Sequence, residues 1–256
     1  LKDRRGAAIG VFQVINKIDN TPYSKEDIDI LIHLTLYASA TLENVMLYDN
    51  LKKANSKLRK ANEEIVYRLA NATRFKDPET ENHIIRVGLY CRIMAKYLGW
   101  DDEEAELIKL AAPMHDIGKV GVPDHILLKP GKLTDEEWVV MRKHTEFGNE
   151  ILRDSESRLL QVAAVAALQH HEKWNGKGYP VGKRETEISI YGRMTAIADV
   201  FDALTSRRHY KEAWSFEDTL ALLIEERGEH FDPALVDIFE EHYDEFIKIK
   251  SEYKDE

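Results

Sequence analysis

The sequence predicts a domain built from α-helices alone, entered through one long helix and preceded by a short α+β piece. Three observations predict it. From residue 71 onward apolar residues recur at helical spacing, Gly and Pro fall between the periodic segments, and no convincing hairpin signal appears. Ahead of that stretch, Leu51, Leu58 and Ile65 recur every seven residues, with Leu47, Ala54 and Ala61 in the complementary register. At the start, AAIGVFQVINKI at 7–18 is β-branched and apolar with partial alternation, the pattern of a strand.

Taken in order, NTPY at 20–23 is a turn, and Ser24 with Asp27 caps a helix whose apolar stripe is Ile28, Leu31, Ile32 and Leu36. That helix continues through 41–68. Its seven-residue seam, flanked by Lys, Arg and Glu, fits a short parallel coiled coil, the alternative being a long surface helix docked on its own domain. Asp77 and Pro78 read as N-cap and first residue of the next helix. Asp101 and Asp102 begin another, running to His115 and Asp116 with Pro113 bending its last turn. Thr134 and Glu137 form a capping box for a helix over 135–150. Further helices are expected over 162–171, 188–206 and 216–226, and Asp232-Pro233 starts the last. The tail, 248–256, is charged and expected to fray. The domain boundaries follow: 1–45, a linker helix over 46–70, and a helical domain over 71–256.

A chain of 256 residues, 43% hydrophobic and 32% charged, has the make-up of an ordered soluble protein with a sizeable core. Its formal net charge of -10 argues against bulk recruitment of nucleic acid or anionic membrane, so an anionic substrate needs a local positive site made by metal or clustered Lys and Arg. The single cysteine, Cys91 in LYCRIMAKYL, excludes a disulfide framework, favours a cytoplasmic location and reads as a small core residue. No apolar run reads as long enough to span a bilayer, and no signal peptide is visible. Because residue 1 falls within what looks like a strand, an upstream part carrying a sensor or membrane segment is expected.

Chemistry concentrates in AAPMHDIGKVGV at 111–122. Adjacent His115 and Asp116 are costly to bury unless satisfied, and two readings remain: a buried His–Asp hydrogen bond at a helix end, or two metal ligands, with the carboxylate able to bridge to a second ion. Other donors are spread along the chain. Glu79 and His83 share a helix face, although Glu79 alone also suits the positive end of a helix. His144 alone is an ordinary core or surface histidine. His170 and His171 are adjacent and would point about 100° apart on a helix, towards two different ions. Asp199 lies inside the apolar run MTAIADVFDAL and must be paired or ligated, whereas Asp202, one turn on, suits a pair with Arg207 or Arg208. The set outweighs its members, because helical domains assemble metal sites from donors on several helices. His33, His125, His209, His230 and His242 lack such company and read as structural or exposed. In KWNGKGYP at 173–180, Gly176 and Gly178 permit tight turns and Tyr179 offers a ring and a hydroxyl. Arg208 and Lys211 are three apart and suit a phosphate, or are a solvated basic patch.

HDIGK at 115–119, HHE at 170–172 and GYP at 178–180, in that order, resemble the HD-GYP phosphodiesterases of the HD superfamily, and KPGKLTDEEW, His144, ADVFDALTS and HFDP extend the likeness. The resemblance implies an all-α domain that hydrolyses cyclic di-GMP at a metal centre, giving pGpG and in many members GMP. It places metal ligands at His83, His115, Asp116, His144, His170, His171 and Asp199. Glu79 occupies the position of an extra ligand in members with a third ion, so two or three divalent ions are expected, iron first and manganese second. Asp116 would bridge two ions that share a hydroxide. Lys119, Tyr179, Arg208 and Lys211 match catalytic or substrate-binding positions. Met114, Asn175 and His209 depart from the common pattern without removing a donor. GVFQVINK, YSKEDIDIL and the long exit helix resemble the C-terminal end of a GAF sensor domain, so a homodimer through the linker helix, relaying a signal, is expected.

Overall fold

The computed structural model describes residues 1–72, 76, 80–207 and 212–255, with the backbone alone at 72. They form two units, Leu1–Asn62 and Glu63–Glu256.

In the first unit the expected strand does not form. Among its described residues the only ladder-like feature before the helix is an isolated antiparallel bridge between Lys2 and Ala8, and the Asp3 side chain accepts from the Arg5 and Ala7 amides at 2.9 and 2.8 Å instead. A strand needs a neighbour for its N–H and C=O groups; Leu1 supplies one to Ile9 and Gly10, at 3.0 and 2.9 Å, while Val11, Ile15 and Ile18 beyond them stand exposed. No strand is seen among the described residues, so a GAF-like α+β remnant is not supported. Helix α1 (Lys25–Ala72) begins where expected. Ser24 Oγ accepts the Asp27 N–H at 3.2 Å, and Asp27 Oδ2 accepts the Ser24 N–H at 2.7 Å. Its stripe is not buried, since Ile28, Ile32 and Leu36 are exposed. By length and composition alone this helix is apolar enough to cross a membrane, which corrects the expectation that no such run exists.

The regular elements of the second unit are all helical among its described residues. After α1 come α2 (Glu81–Tyr97), α3 (Asp102–Ala111), two 3-10 turns (Ala112–Met114 and Ile117–Gly121) and a short α4 (Asp124–Leu127). Then follow α5 (Asp135–Arg142), α6 (His144–Leu152), α7 (Arg158–Gln169), α8 (Ile190–Thr205), α9 (Phe216–Glu225), α10 (Pro233–Glu241) and α11 (Tyr243–Glu252). Helix α2 is central: it packs on α3 and α8, while α10 and α11 close over it. The core threads through Val87, Tyr90, Cys91, Met94, Ile197, Phe201, Phe239 and Phe246, and takes Val66 and Ala70 from the end of α1. Burial pushes the Cys91 thiol up to about 12, as suits a packing residue.

Several start signals act as read. Asp101 and Asp232 cap α3 and α10, and Thr134 with Glu137 closes a capping box on α5. The expected N-cap pair, Asp77 and Pro78, lies outside the described residues; Thr80 caps α2. The helix expected over 135–150 is divided at Lys143. There His144 Nδ1 and Thr145 Oγ1 take the carbonyls of Met141 and Arg142, at 2.7 and 3.0 Å, a side-chain competition that interrupts the backbone ladder. The last helix is likewise divided at His242, whose ring stacks on Tyr97 at 3.4 Å. The tail does not fray as expected: α11 runs to Glu252 and Lys250 is buried.

Candidate metal centre

His115 and Asp116 sit where one 3-10 turn hands over to the next. The turn approaches α6 very closely. A Cβ on Gly118 would lie 1.9 Å from the His144 carbonyl oxygen and 2.4 Å from the Gly148 nitrogen. Glycine at 118 therefore lets the HD turn reach the helix that begins with His144. His83 comes from α2, Asp199 from α8, and His170 and His171 from the C-terminal end of α7.

These donors form two groups. His83, His115 and Asp199 offer ligand atoms all within 4.8 Å of one another, and so do His144, His170 and His171. Asp199 Oδ1 is 3.8 Å from both His83 Nε2 and His115 Nε2. Asp116 stands between the groups: Oδ2 is 3.2 Å from His115 Nε2, while Oδ1 is 3.4 and 3.7 Å from His144 Nε2 and His170 Nε2.

The protonation pattern follows from the partners. His115 Nδ1 faces the Ala112 carbonyl at 2.9 Å, His144 Nδ1 the Met141 carbonyl at 2.7 Å, and His170 Nδ1 the Ala167 carbonyl at 2.9 Å. A carbonyl only accepts, so each Nδ1 carries the proton and each Nε2, in a neutral ring, carries a lone pair. His83 Nδ1 does the same against Asp202 Oδ2 at 2.8 Å. Burial holds His144, His170 and His171 below the usual histidine range, so all three are neutral near pH 7. Burial alone would raise Asp116, but the Lys119 ammonium, with the His115 ring beside it, outweighs burial and holds the carboxyl well below the usual range.

The set fits a metal. His144 Nε2 and His170 Nε2 lie 3.5 Å apart with two lone pairs facing, an arrangement that repels unless a cation lies between them. Asp116 Oδ1 is buried with no hydrogen-bond donor among the described residues. Neutral imidazoles with carboxylates are a donor set for divalent ions such as zinc, iron or manganese.

Lys119 Nζ meets Asp116 Oδ2 at 2.7 Å, at the edge of the cluster. The Tyr179 ring lies 4.7 Å from that of His171, and burial pushes its phenol up so that it stays protonated. Glu79, Arg208 and Lys211 lie outside the described residues. Of three neighbours of these groups, the sequence reading gave two no role and the third a different partner. Arg142 places its guanidinium 5.1 Å from the Tyr179 ring centre. The buried Glu172 carboxylate accepts from the Val181, Gly182 and Lys183 amides at 2.9–3.2 Å and so fixes the turn after Tyr179. Close packing demands glycine at 178, where a Cβ would fall 2.3 Å from the Lys173 nitrogen. The third neighbour is Asp202, which pairs with His83, Arg86 and Lys250 rather than with Arg207; Arg208, the other expected partner, lies outside the described residues. Burial alone would raise its carboxyl, but the Arg86 and His83 hydrogen bonds drive it far below the usual range. Its only sequence signal was a second carboxylate in the apolar run of Asp199.

Comparison with known proteins agrees with this architecture. The chain is 46% identical over 226 residues to 3'3'-cGAMP-specific phosphodiesterase 2 of Vibrio cholerae, covering 88% of this chain and 42% of that protein. It is 42% identical over 193 residues to the cyclic di-GMP phosphodiesterase of Thermotoga maritima, covering 75% and 52%. The chain thus spans about half the length of the curated relatives it matches. The fold is shared with the crystal structure of a cyclic GMP-AMP specific phosphodiesterase of V. cholerae, at a TM-score of 0.57 and 19% identity over 75% of this chain and 51% of that one. Residues 48–235, which run from within α1 to the start of α10 and hold every described donor, match the family described as HD domain, and the chain belongs to that family.

Proposed function

We propose that this chain is a metal-dependent phosphodiesterase that opens cyclic di-GMP to pGpG and carries it on to GMP. The observation that carries the reading is the placing of Asp116 between two three-donor groups, one oxygen towards each. Divalent ions held there, iron first and manganese second, would supply Lewis acidity and an activated water for in-line displacement at phosphorus. Lys119, anchored on Asp116, would stabilise or protonate the leaving 3′ oxygen. Tyr179 would contact the nucleotide, and Arg208 and Lys211 would bind phosphate oxygens. Glu79 would extend the donor set to a third ion. We place the activity in the cytoplasm, in a homodimer joined through the α1 seam.

A second substrate is favoured by one observation: a relative at 46% identity is named for 3'3'-cGAMP. The deciding experiment is an anaerobic assay with Fe(II) or Mn(II), offering each cyclic dinucleotide separately and resolving linear dinucleotide from mononucleotide. Cyclic di-GMP is expected to be cleaved faster, and the reverse order would transfer the assignment to 3'3'-cGAMP. Asp116→Ala should lose metal and turnover together. Lys119→Ala should keep its metal and lose roughly 10²–10⁴-fold in rate. Tight binding without cleavage under either metal would make the chain a receptor.

A further inference from the structure

We propose that Asp202 is a positioning residue for the His83, His115 and Asp199 group, locked by Arg86 and by the segment at 250–255. The proposal rests on the metal-centre reading above and adds to it the part of the chain that aims one ligand.

Asp202 and Arg86 are both fully buried, on α8 and α2. Arg86 grips the carboxylate as a fork, Nε to Oδ1 at 2.5 Å and Nη2 to Oδ2 at 2.7 Å. Oδ2 also receives His83 Nδ1 at 2.8 Å, and Oδ1 receives Lys250 Nζ at 3.2 Å and Tyr90 Oη at 3.4 Å. Because the carboxylate only accepts, it fixes the His83 proton on Nδ1 and the ring plane, and so turns Nε2 towards Asp199 and His115. Outer partners of this kind orient a ligating imidazole and raise its basicity.

The lock extends to the far end of the chain. Arg86 Nη1 donates to the Tyr253 carbonyl at 2.6 Å and to Asp255 Oδ1 at 2.9 Å, and Nη2 reaches Asp255 Oδ2 at 3.0 Å. Thr80, the N-cap of α2, bonds Asp255 as well, and Asn82 Nδ2 donates to the Lys254 carbonyl at 2.5 Å. Ser206 Oγ joins Lys250 to Asp202. Two cations, Arg86 and Lys250, balance two carboxylates, Asp202 and Asp255, so no buried charge is left over. The turn of α2 that carries His83 is therefore held on both sides, by Asp202 from α8 and by the residues after α11.

The test measures metal affinity on folded protein, independent of turnover. Wild type, Asp202→Asn, Asp202→Ala and Asp255→Ala are stripped of metal, checked by circular dichroism and melting, and titrated with Mn(II) by electron paramagnetic resonance. Asp202→Ala should weaken one class of site by about 10- to 100-fold and leave the other class unchanged. Asp202→Asn, which keeps an acceptor for His83 Nδ1, should restore part of that loss. Asp255→Ala leaves the His83–Asp202 bond in place and should weaken the same class to a smaller degree. A folded Asp202→Ala protein with wild-type affinities overturns the proposal. If Asp202→Ala does not fold, unchanged affinities in both Asp202→Asn and Asp255→Ala overturn it. Metal binding by wild type without cleavage of either dinucleotide would refute the proposed function and leave this inference standing. No metal binding by wild type would refute both.

Discussion

Helix α1 treats apolar residues in opposite ways at its two ends. Leu47, Leu51 and Leu58, in the first unit, are 55%, 67% and 61% exposed, whereas Val66 and Ala70, in the second, are 4% and 1% exposed. The residue types are alike and the helix is continuous. The difference lies in what is available to cover them. Val66 and Ala70 join a cluster that includes residues of α2, α3 and α8, while Leu47, Leu51 and Leu58 have no cover within the first unit, and Ile65, the last residue of the seam, stays 54% exposed beside Val66. A periodic stripe states that a face is apolar and leaves open what that face meets.

Three experiments break or sharpen this contrast. The largest effect belongs to the covered region. Phe239→Ala removes a fully buried ring that contacts Phe201, Tyr243 and Phe246, and should cost about 3–5 kcal/mol in denaturant unfolding of the second unit. A loss under 1 kcal/mol would mean that the core closes without it. The next effect is a pH dependence in the same region. Burial depresses His230 to about 4, so the unfolded chain binds a proton there before the folded one does. Stability from this group is complete above about pH 6.5 and declines as pH falls from there towards 4. His230→Gln should flatten that limb, and an unchanged slope would remove His230 as its source. The smallest effect on stability belongs to the uncovered region. Leu51→Lys with Leu58→Lys should change unfolding by less than about 0.5 kcal/mol per site, yet convert a dimer into a monomer by sedimentation. A monomeric wild type would show that a second copy is not the cover.

The same contrast explains what could be read in advance. Caps were legible because Ser24, Asp101, Thr134 and Asp232 each act through atoms within three residues. The donors were legible as types, since a carboxylate such as Asp199 in an apolar run demands a partner. The strand over 7–18 was misread, because pairing depends on a neighbour that the pattern does not contain. The breaks at Lys143 and His242 were missed as well. At the first, side chains of the following residues take backbone carbonyls without any Gly or Pro to announce it. The tail was misjudged for a related reason: Lys250 and Asp255 look like solvated charges until Asp202 and Arg86, far away in sequence, give them buried counterparts.

Glu172 carries a consequence for where an anion will settle. Successive amides at 181–183 converge as an anion-binding nest, and the protein has already filled it with its own carboxylate. The backbone amides of the turn after Tyr179 are therefore already engaged, and the contacts to an incoming phosphodiester fall to side chains and bound ions. Replacing Glu172 with Ala would unmask those amides and create a rival resting place for phosphate.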